Sequence, residues 1–538
     1  MPNTSLTDGE PVRAPGRVSR RSVLAGSAAA AVAVPTLGFA PAASATSTRS
    51  GKTGPASVLP SARDVLRKGK ELADLELVEV ASLLQAGAVS SRELVRAAYD
   101  RINKRDGDTN AWIHLYPEVA YKLAAAADNA LVRARRGKGE VSLLTGVPIG
   151  LKDIIAAKDL PLTFGSDAFA DHIAPGDATA WVRLKKAGCV LLGHARTIEF
   201  ATANAPQLVA NPWDLTKSPG GSSNGPAAAV AARHVWLTLG TDSGGSLRRP
   251  STLNNVSTIK ATYGRVSTWG ILTSSRNQDH VGPLARSIAD CALALSYLAG
   301  PDPNDPPTLA APDAPHLYPL RATSKSSKPY RGMVFGVTQT EPVLDDLEPG
   351  VRAVWDRFAA RVTAMGARLV PIVSPERVGQ SSGGPSPEAV AFQRLWFAER
   401  GHLYSEVNRT SAESTLARAN EGTIIGYYDS LVARAQYIEA WKAVFTDNHL
   451  DAVITPNAIV EAPLKDTPLA AFGPNIRSYW NTLGFPVLGL PGGLSPVTGM
   501  PVGIQLAGLP FTETDLFTIA LEYQERYPDH ALVPPRYK

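Results

Sequence analysis

Gly240-Thr-Asp-Ser-Gly-Gly-Ser246 closes an apolar run at 236–239 and opens onto Leu247-Arg248-Arg249-Pro250. A buried run that ends in consecutive small residues turns tightly, and its backbone N–H groups can converge on one point. Two stretches of the same kind lie upstream, Gly146-Val-Pro-Ile-Gly-Leu-Lys-Asp153 and Gly220-Gly-Ser-Ser-Asn-Gly225. Around them, short apolar runs at 147–151, 190–192 and 236–239 alternate with helical patterns at 178–187 and 227–232. This alternation predicts an α/β fold built on a largely buried sheet.

Outward from that centre, helices are predicted over 75–86 and 91–105. The second is opened by the capping box Ser90-Ser-Arg-Glu93, with Leu94, Val95, Ala98 and Ile102 on one side. The Pro- and Asp-rich segment 300–329 reads as a connector. It leads to a strand at 332–337, a helix at 351–365 closed by Gly366, and a strand at 368–372. After a loop at 374–387 come long helical patterns carrying Trp396, Phe397, Tyr404, Tyr437 and Trp441, which read first as core.

With 538 residues, 44% hydrophobic and 19% charged, the chain has the composition of a well-packed globular protein. The net charge of +5 is mild, and four of its arginines fall in the first 45 residues. Without a Lys/Arg block interleaved with aromatics, nucleic acid is not the expected partner. Two cysteines, Cys189 and Cys291, exclude a disulfide scaffold, and their apolar neighbours make both read as small buried hydrophobes.

Residues 1–45 read as an address. Ser19-Arg-Arg-Ser-Val-Leu24 is followed by an Ala-rich run and then by Ala43-Ser-Ala45, the order of a twin-arginine export signal with a small-residue cleavage site. The apolar run stops at Pro35 after about a dozen residues, short of the roughly 20 that span a bilayer. Residues 46–60 read as a flexible mature N-terminus, and the transient partner implied is the export machinery.

Ser246 sits where a nucleophile would face converging N–H groups able to hold an oxyanion. A serine hydroxyl needs a base, and none of the nine histidines lies within the two serine-bearing loops. Lys152 is the other candidate, flanked by Val147, Pro148, Ile149, Leu151, Ile154 and Ile155. Burial in such a setting lowers a lysine pKa from its usual value near ~10.4 and frees the amine to act as a base. A rival match, Ser257-Thr-Ile-Lys260 as S-x-x-K with Lys52-Thr-Gly54 as K-T-G, has the wrong order and lacks S-D-N.

Taken together, Gly-Val-Pro-Ile-Gly-Leu-Lys-Asp, Pro219-Gly-Gly-Ser-Ser, Gly-Thr-Asp-Ser-Gly-Gly-Ser-Leu-Arg, Tyr263-Gly-Arg-Val-Ser267 and Asp279-His-Val-Gly-Pro-Leu-Ala-Arg286 resemble the amidase signature family. The match runs from about 75 to 295 and resumes at 451–456 and 480–508. The 24-residue separation of Ser222 and Ser246 is also similar to that family's spacing. The resemblance implies one domain over 61–538, with a large mixed central sheet covered by helices on both faces and a variable, substrate-shaping region about 300–450. It further implies Ser246 as the nucleophile, Ser222 as a bridging serine preceded by a cis peptide, and Lys152 as the base. The backbone of Ser243, Gly244, Gly245 and Ser246 would form the oxyanion hole, supported by Ser223 and Asp242.

No cofactor or metal is implied, and the expected partner is a small-molecule or peptide amide. Asn224, Pro226, Ser257-Thr-Ile-Lys-Ala261 and Arg196-Thr-Ile-Glu199 depart from the family pattern. Three functions fit these motifs. One is an exported amidohydrolase, a second is the glutaminase-type subunit of a tRNA amidotransferase, and a third is an inactive binding protein on the same scaffold.

Overall fold

The computed structural model describes residues 58–202, 207–340, 344–376, 387–467, 476 and 478–537. The export signal expected at 1–45 lies outside the described residues, as does most of the 46–60 tail. Gly54–Lys538 forms one compact unit.

Eleven strands make one sheet: β1 (Trp112–Leu115), β2 (Pro148–Lys152), β3 (Val190–Ala195), β4 (Leu237–Asp242), β5 (Ser257–Lys260), β6 (His280–Ala285), β7 (Val334–Thr338), β8 (Arg368–Ile372), β9 (Ala452–Pro456), β10 (Val487–Leu494) and β11 (Pro501–Ala507). Their order is β1-β3-β2-β4-β6-β5-β10-β11-β9-β7-β8. Pairs β2/β3, β2/β4, β7/β8 and β7/β9 are parallel and the rest antiparallel, so the sheet is mixed.

Side chains of a strand alternate between the two faces of its sheet. Every residue of β2, β3, β4, β5, β6, β7, β9 and β11 is buried, so both faces are covered. Partial exposure is concentrated on the outermost strands, β1 and β8, as edges should show. The capping box at Ser90 forms as expected: Ser90 Oγ accepts from the Glu93 N–H while Glu93 accepts from the Ser90 N–H. Both cysteines are free and buried.

The Ala-rich helix Asn224–Ala231 is wholly buried and lies close under the sheet because its side chains are small. Pro226 falls in its first turn, where the missing N–H costs nothing, and Asn224 Oδ1 accepts from the Gly225 N–H at 2.9 Å. A methyl group on Gly225 would stand 2.5 Å from the Arg196 backbone nitrogen, 2.5 Å from its carbonyl oxygen and 2.6 Å from the Ala111 carbonyl. These are backbone atoms that cannot step aside. Gly225→Ala is therefore expected to cost about 3 kcal/mol, measured as a lower urea midpoint at unchanged slope; an unmoved midpoint would mean the helix tolerates a wider seat.

Candidate active site

The parallel neighbours β2 and β4 bring their C-terminal ends to the same edge of the sheet, the side on which α/β proteins place ligands. Lys152 is the last residue of β2, and Thr241 and Asp242 end β4. Ser222 precedes the helix Asn224–Ala231, and the Gly221–Ser222 peptide is cis, the expected isomer. Lys152 Nζ lies 2.8 Å from Ser222 Oγ and 2.8 Å from Thr241 Oγ1. Ser246 stands next in space: its carbonyl accepts from the Ser223 N–H at 3.3 Å, and the residue is half-buried.

Lys152 is fully buried, and that burial lowers its pKa to about 7 against the opposing pull of Asp242 and Asp279. A neutral amine suits its surroundings: it can donate one N–H to Thr241 and accept the Ser222 hydroxyl proton on its lone pair. Such an arrangement passes a proton from hydroxyl to amine.

The loop 242–248 is held by its own carboxylate. Asp242 accepts from the Gly245 N–H at 2.6 Å, the Leu247 N–H at 3.2 Å and Arg248 Nε at 3.0 Å. Burial alone would raise the Asp242 pKa, but the Arg248 charge and hydrogen bonds, with Lys260 and Asn481, outweigh it and keep the carboxyl well below the usual range. The Gly245 N–H is thereby committed to the loop's internal bonding. Ser223 supports the same edge, its hydroxyl donating to the Thr241 carbonyl at 3.1 Å.

Several contributors escape the motif reading. Thr241 shares Lys152, and Asp279 accepts from the Ser243 hydroxyl and from the Ser274 and Ser275 N–H groups at 2.8 and 3.0 Å. Arg248 also donates to Gln505 Oε1 at 2.7 Å and to Asn481 Oδ1 at 2.6 Å. Thr241 and Arg248 lie inside or beside the quoted stretch, so position was the available signal. Asn481 and Gln505 come from the distant 480–508 segment, where the resemblance resumes.

Two cavities open near this edge without Ser246 in their walls. One of about 570 Å³ is walled by Leu162, Phe164, Leu272, Phe392 and Trp396 among others, and one of about 150 Å³ shares Leu272, Thr273 and Phe392 with it. Of the aromatic residues expected as core, Tyr404, Tyr437 and Trp441 are buried, whereas Trp396 is half-buried and lines the larger cavity.

A serine-bearing turn and a second serine hydrogen-bonded to a buried lysine, on a covered mixed sheet, are the arrangement that the family resemblance anticipates. The amidase family model matches residues 93–517, and the chain belongs to this amidase signature family. It is 34% identical over 486 residues, 84% of this chain and 96% of the other, to the glutamyl-tRNA(Gln) amidotransferase A subunit of Chloroflexus aggregans. Among solved structures, the native peptide amidase of Stenotrophomonas maltophilia matches at 27% identity and a TM-score of 0.71, covering 86% of this chain and 98% of that one. An amidase family protein of Bacillus anthracis shares the fold at a TM-score of 0.74 and 23% identity, over 88% and 94% of the two chains. The protein is an enzyme of amide C–N bonds.

Because only the neutral amine can take a proton, kcat/KM for amide hydrolysis is expected to rise with pH through about 7 and level off above it. A profile flat from pH 5 to 9 would remove Lys152 from the role of base.

Proposed function

We propose that the protein hydrolyses carboxamides through an acyl-enzyme on Ser246. The observation that carries the reading is the buried Lys152 amine 2.8 Å from Ser222 Oγ, with Ser246 adjoining. Ser222 passes its proton to Lys152 as it takes the Ser246 proton, and Ser246 Oγ attacks the carbonyl carbon. The C–N bond breaks while the proton returns through Ser222 to the leaving nitrogen, which departs as ammonia or an amine. Water then cleaves the ester by the same route and a carboxylate leaves.

Ser246→Ala is expected to lower amide hydrolysis by about a thousandfold or more, the scale on which serine nucleophiles are missed. A fluorophosphonate or aryl sulfonyl fluoride should label the unsubstituted protein once, at Ser246 by peptide mass mapping. Undiminished hydrolysis by Ser246→Ala would overturn the assignment, and absence of both labelling and turnover would favour an inactive binding protein.

The 34% identity to an amidotransferase component favours a second reading, a glutaminase-type subunit. It predicts ammonia release from free glutamine only when partner subunits are present, whereas a hydrolase turns over amides alone.

We further propose that the chain is exported by the twin-arginine route, a reading supported by Arg20-Arg21 and Ala43-Ser-Ala45. Export of folded protein suits a chain with two cysteines. Intact-mass analysis of extracellular material should find an N-terminus at Thr46, and Arg20→Lys with Arg21→Lys should retain the full-length chain in the cytoplasm. Full-length protein outside cells, or export unaffected by both substitutions, would exclude this route.

A further inference from the structure

Two chain segments lead from the catalytic loops to the cavities. In the first, the Thr197 hydroxyl and the Ile198 N–H both donate to the Ser222 carbonyl, at 3.2 and 3.3 Å. Two residues on, Phe200 stands in the wall of the smaller cavity, and its N–H donates at 2.8 Å to the carbonyl of Phe164, which lines the larger one. In the second, Leu272 and Thr273 line both cavities, and the next two residues donate to Asp279, the acceptor for Ser243. The Leu272 N–H in turn donates to the Ile154 carbonyl, two residues past Lys152. The cavities are therefore walled by the segment tied to the Ser222 carbonyl and by the segment tied to Asp279.

The walls are aromatic. Phe392 packs its ring 5.9 Å from Phe164, 5.6 Å from Phe169 and 5.6 Å from Phe200, and Trp396 stands 5.2 Å from Phe169. Most of these pairs are edge-to-face, the geometry that also receives another ring favourably. The carboxylates of the larger wall are spent on the loops: Asp177 accepts from the Lys158 N–H at 2.7 Å and from Lys185 at 3.2 Å, and Asp305 from the Thr268 N–H at 2.6 Å. The volume of about 570 Å³ falls within the range of small-molecule sites.

We propose that the substrates are amides of aromatic acids, with the aryl end of the acyl group seated against Phe392 and Trp396 in the cavity between the 197–202 and 272–275 segments. This rests on acylation of Ser246 as proposed above. Phe392 and Trp396 both belong to the helix Pro387–Arg400 and stand one turn apart on it.

The test begins with binding, so that it does not depend on turnover. Calorimetry on Ser246→Ala should find 3-phenylpropionamide bound at least about tenfold more tightly than hexanamide, the scale on which an apolar pocket discriminates. Phe392→Ala and Trp396→Ala, each added to Ser246→Ala, should erase that ratio, while Phe392→Leu should keep part of it. Circular dichroism melts identify any variant that fails to fold, and the remaining one then decides. Equal or undetectable binding of the two amides, or a ratio that survives in a folded alanine variant, overturns the proposal. In the unsubstituted protein the kcat/KM ratio should follow the binding ratio. An intact binding preference without Ser246-dependent hydrolysis would overturn the acyl-enzyme reading and leave the pocket assignment standing.

Discussion

The ion pair between Asp242 and Arg248, both 0% exposed, is the constraint on which the catalytic edge depends. Burying two charges is costly unless every remaining donor and acceptor is met, and removing one partner of such a pair costs about 3–5 kcal/mol. Here the carboxylate accepts from two backbone N–H groups of its own loop, from Asn481 and from the guanidinium, while the guanidinium reaches Gln505 on β11 and Asn481. One carboxylate thereby shapes the 242–248 turn and joins it to chain more than 230 residues away. The pair has an electrostatic consequence as well. The charge of Asp242 raises the Lys152 pKa, so a neighbouring guanidinium that offsets that charge helps the lysine stay neutral near pH 7.

One departure from the family pattern, Arg196-Thr-Ile-Glu199, touches both Ser222 and the wall of the smaller cavity. In Arg196-Thr-Ile-Glu199 the first residue is anchored on Asn110 and the next two hold the Ser222 carbonyl. Glu199 accepts from the hydroxyls of Ser166 and Ser405 and from the Asn408 amide at 2.6 Å. Its buried carboxylate thus docks the helix Glu406–Glu421 on the body and sets the far wall of the smaller cavity. A change at Glu199 would therefore move the pocket wall, whereas a change at Thr197 would also reach Ser222.

What could be read in advance follows how local each determinant is. The strand at 368–372, the helix predicted at 351–365 and found as Pro349–Ala364, and the Ser90 capping box depend on neighbours within a turn or two, and all appear. Ser222 and Ser246 sit in glycine-rich turns and Lys152 ends β2, and it is the order and flanks of these stretches that carry the resemblance. Asn481 and Gln505 were not legible, because an asparagine or glutamine becomes a ligand for a buried guanidinium only after β4 and β11 are assembled in one sheet. The Gly245 N–H was likewise not readable as a brace for its own loop, because its bond to Asp242 exists only once the turn is closed.

Two lysines in this sheet are fully buried, and burial lowers the pKa of both, so a neutral amine alone does not identify a base. Their neighbours separate them. Lys260 Nζ donates to the Phe485 carbonyl and lies 3.4 Å from His280 Nε2, while Ser257, which the S-x-x-K match pairs with it, gives its own hydroxyl to the Arg286 carbonyl at 3.2 Å. A carbonyl can accept a hydrogen bond but has no proton to deliver, and a serine on a buried strand reaches no substrate. Lys152 instead donates to two hydroxyls, those of Ser222 and Thr241, and a hydroxyl, unlike a carbonyl, can also donate. Proton transfer requires that double capacity at the junction. It is this difference in partners, rather than burial or pKa, that makes one buried lysine a candidate base and the other a brace for the strand.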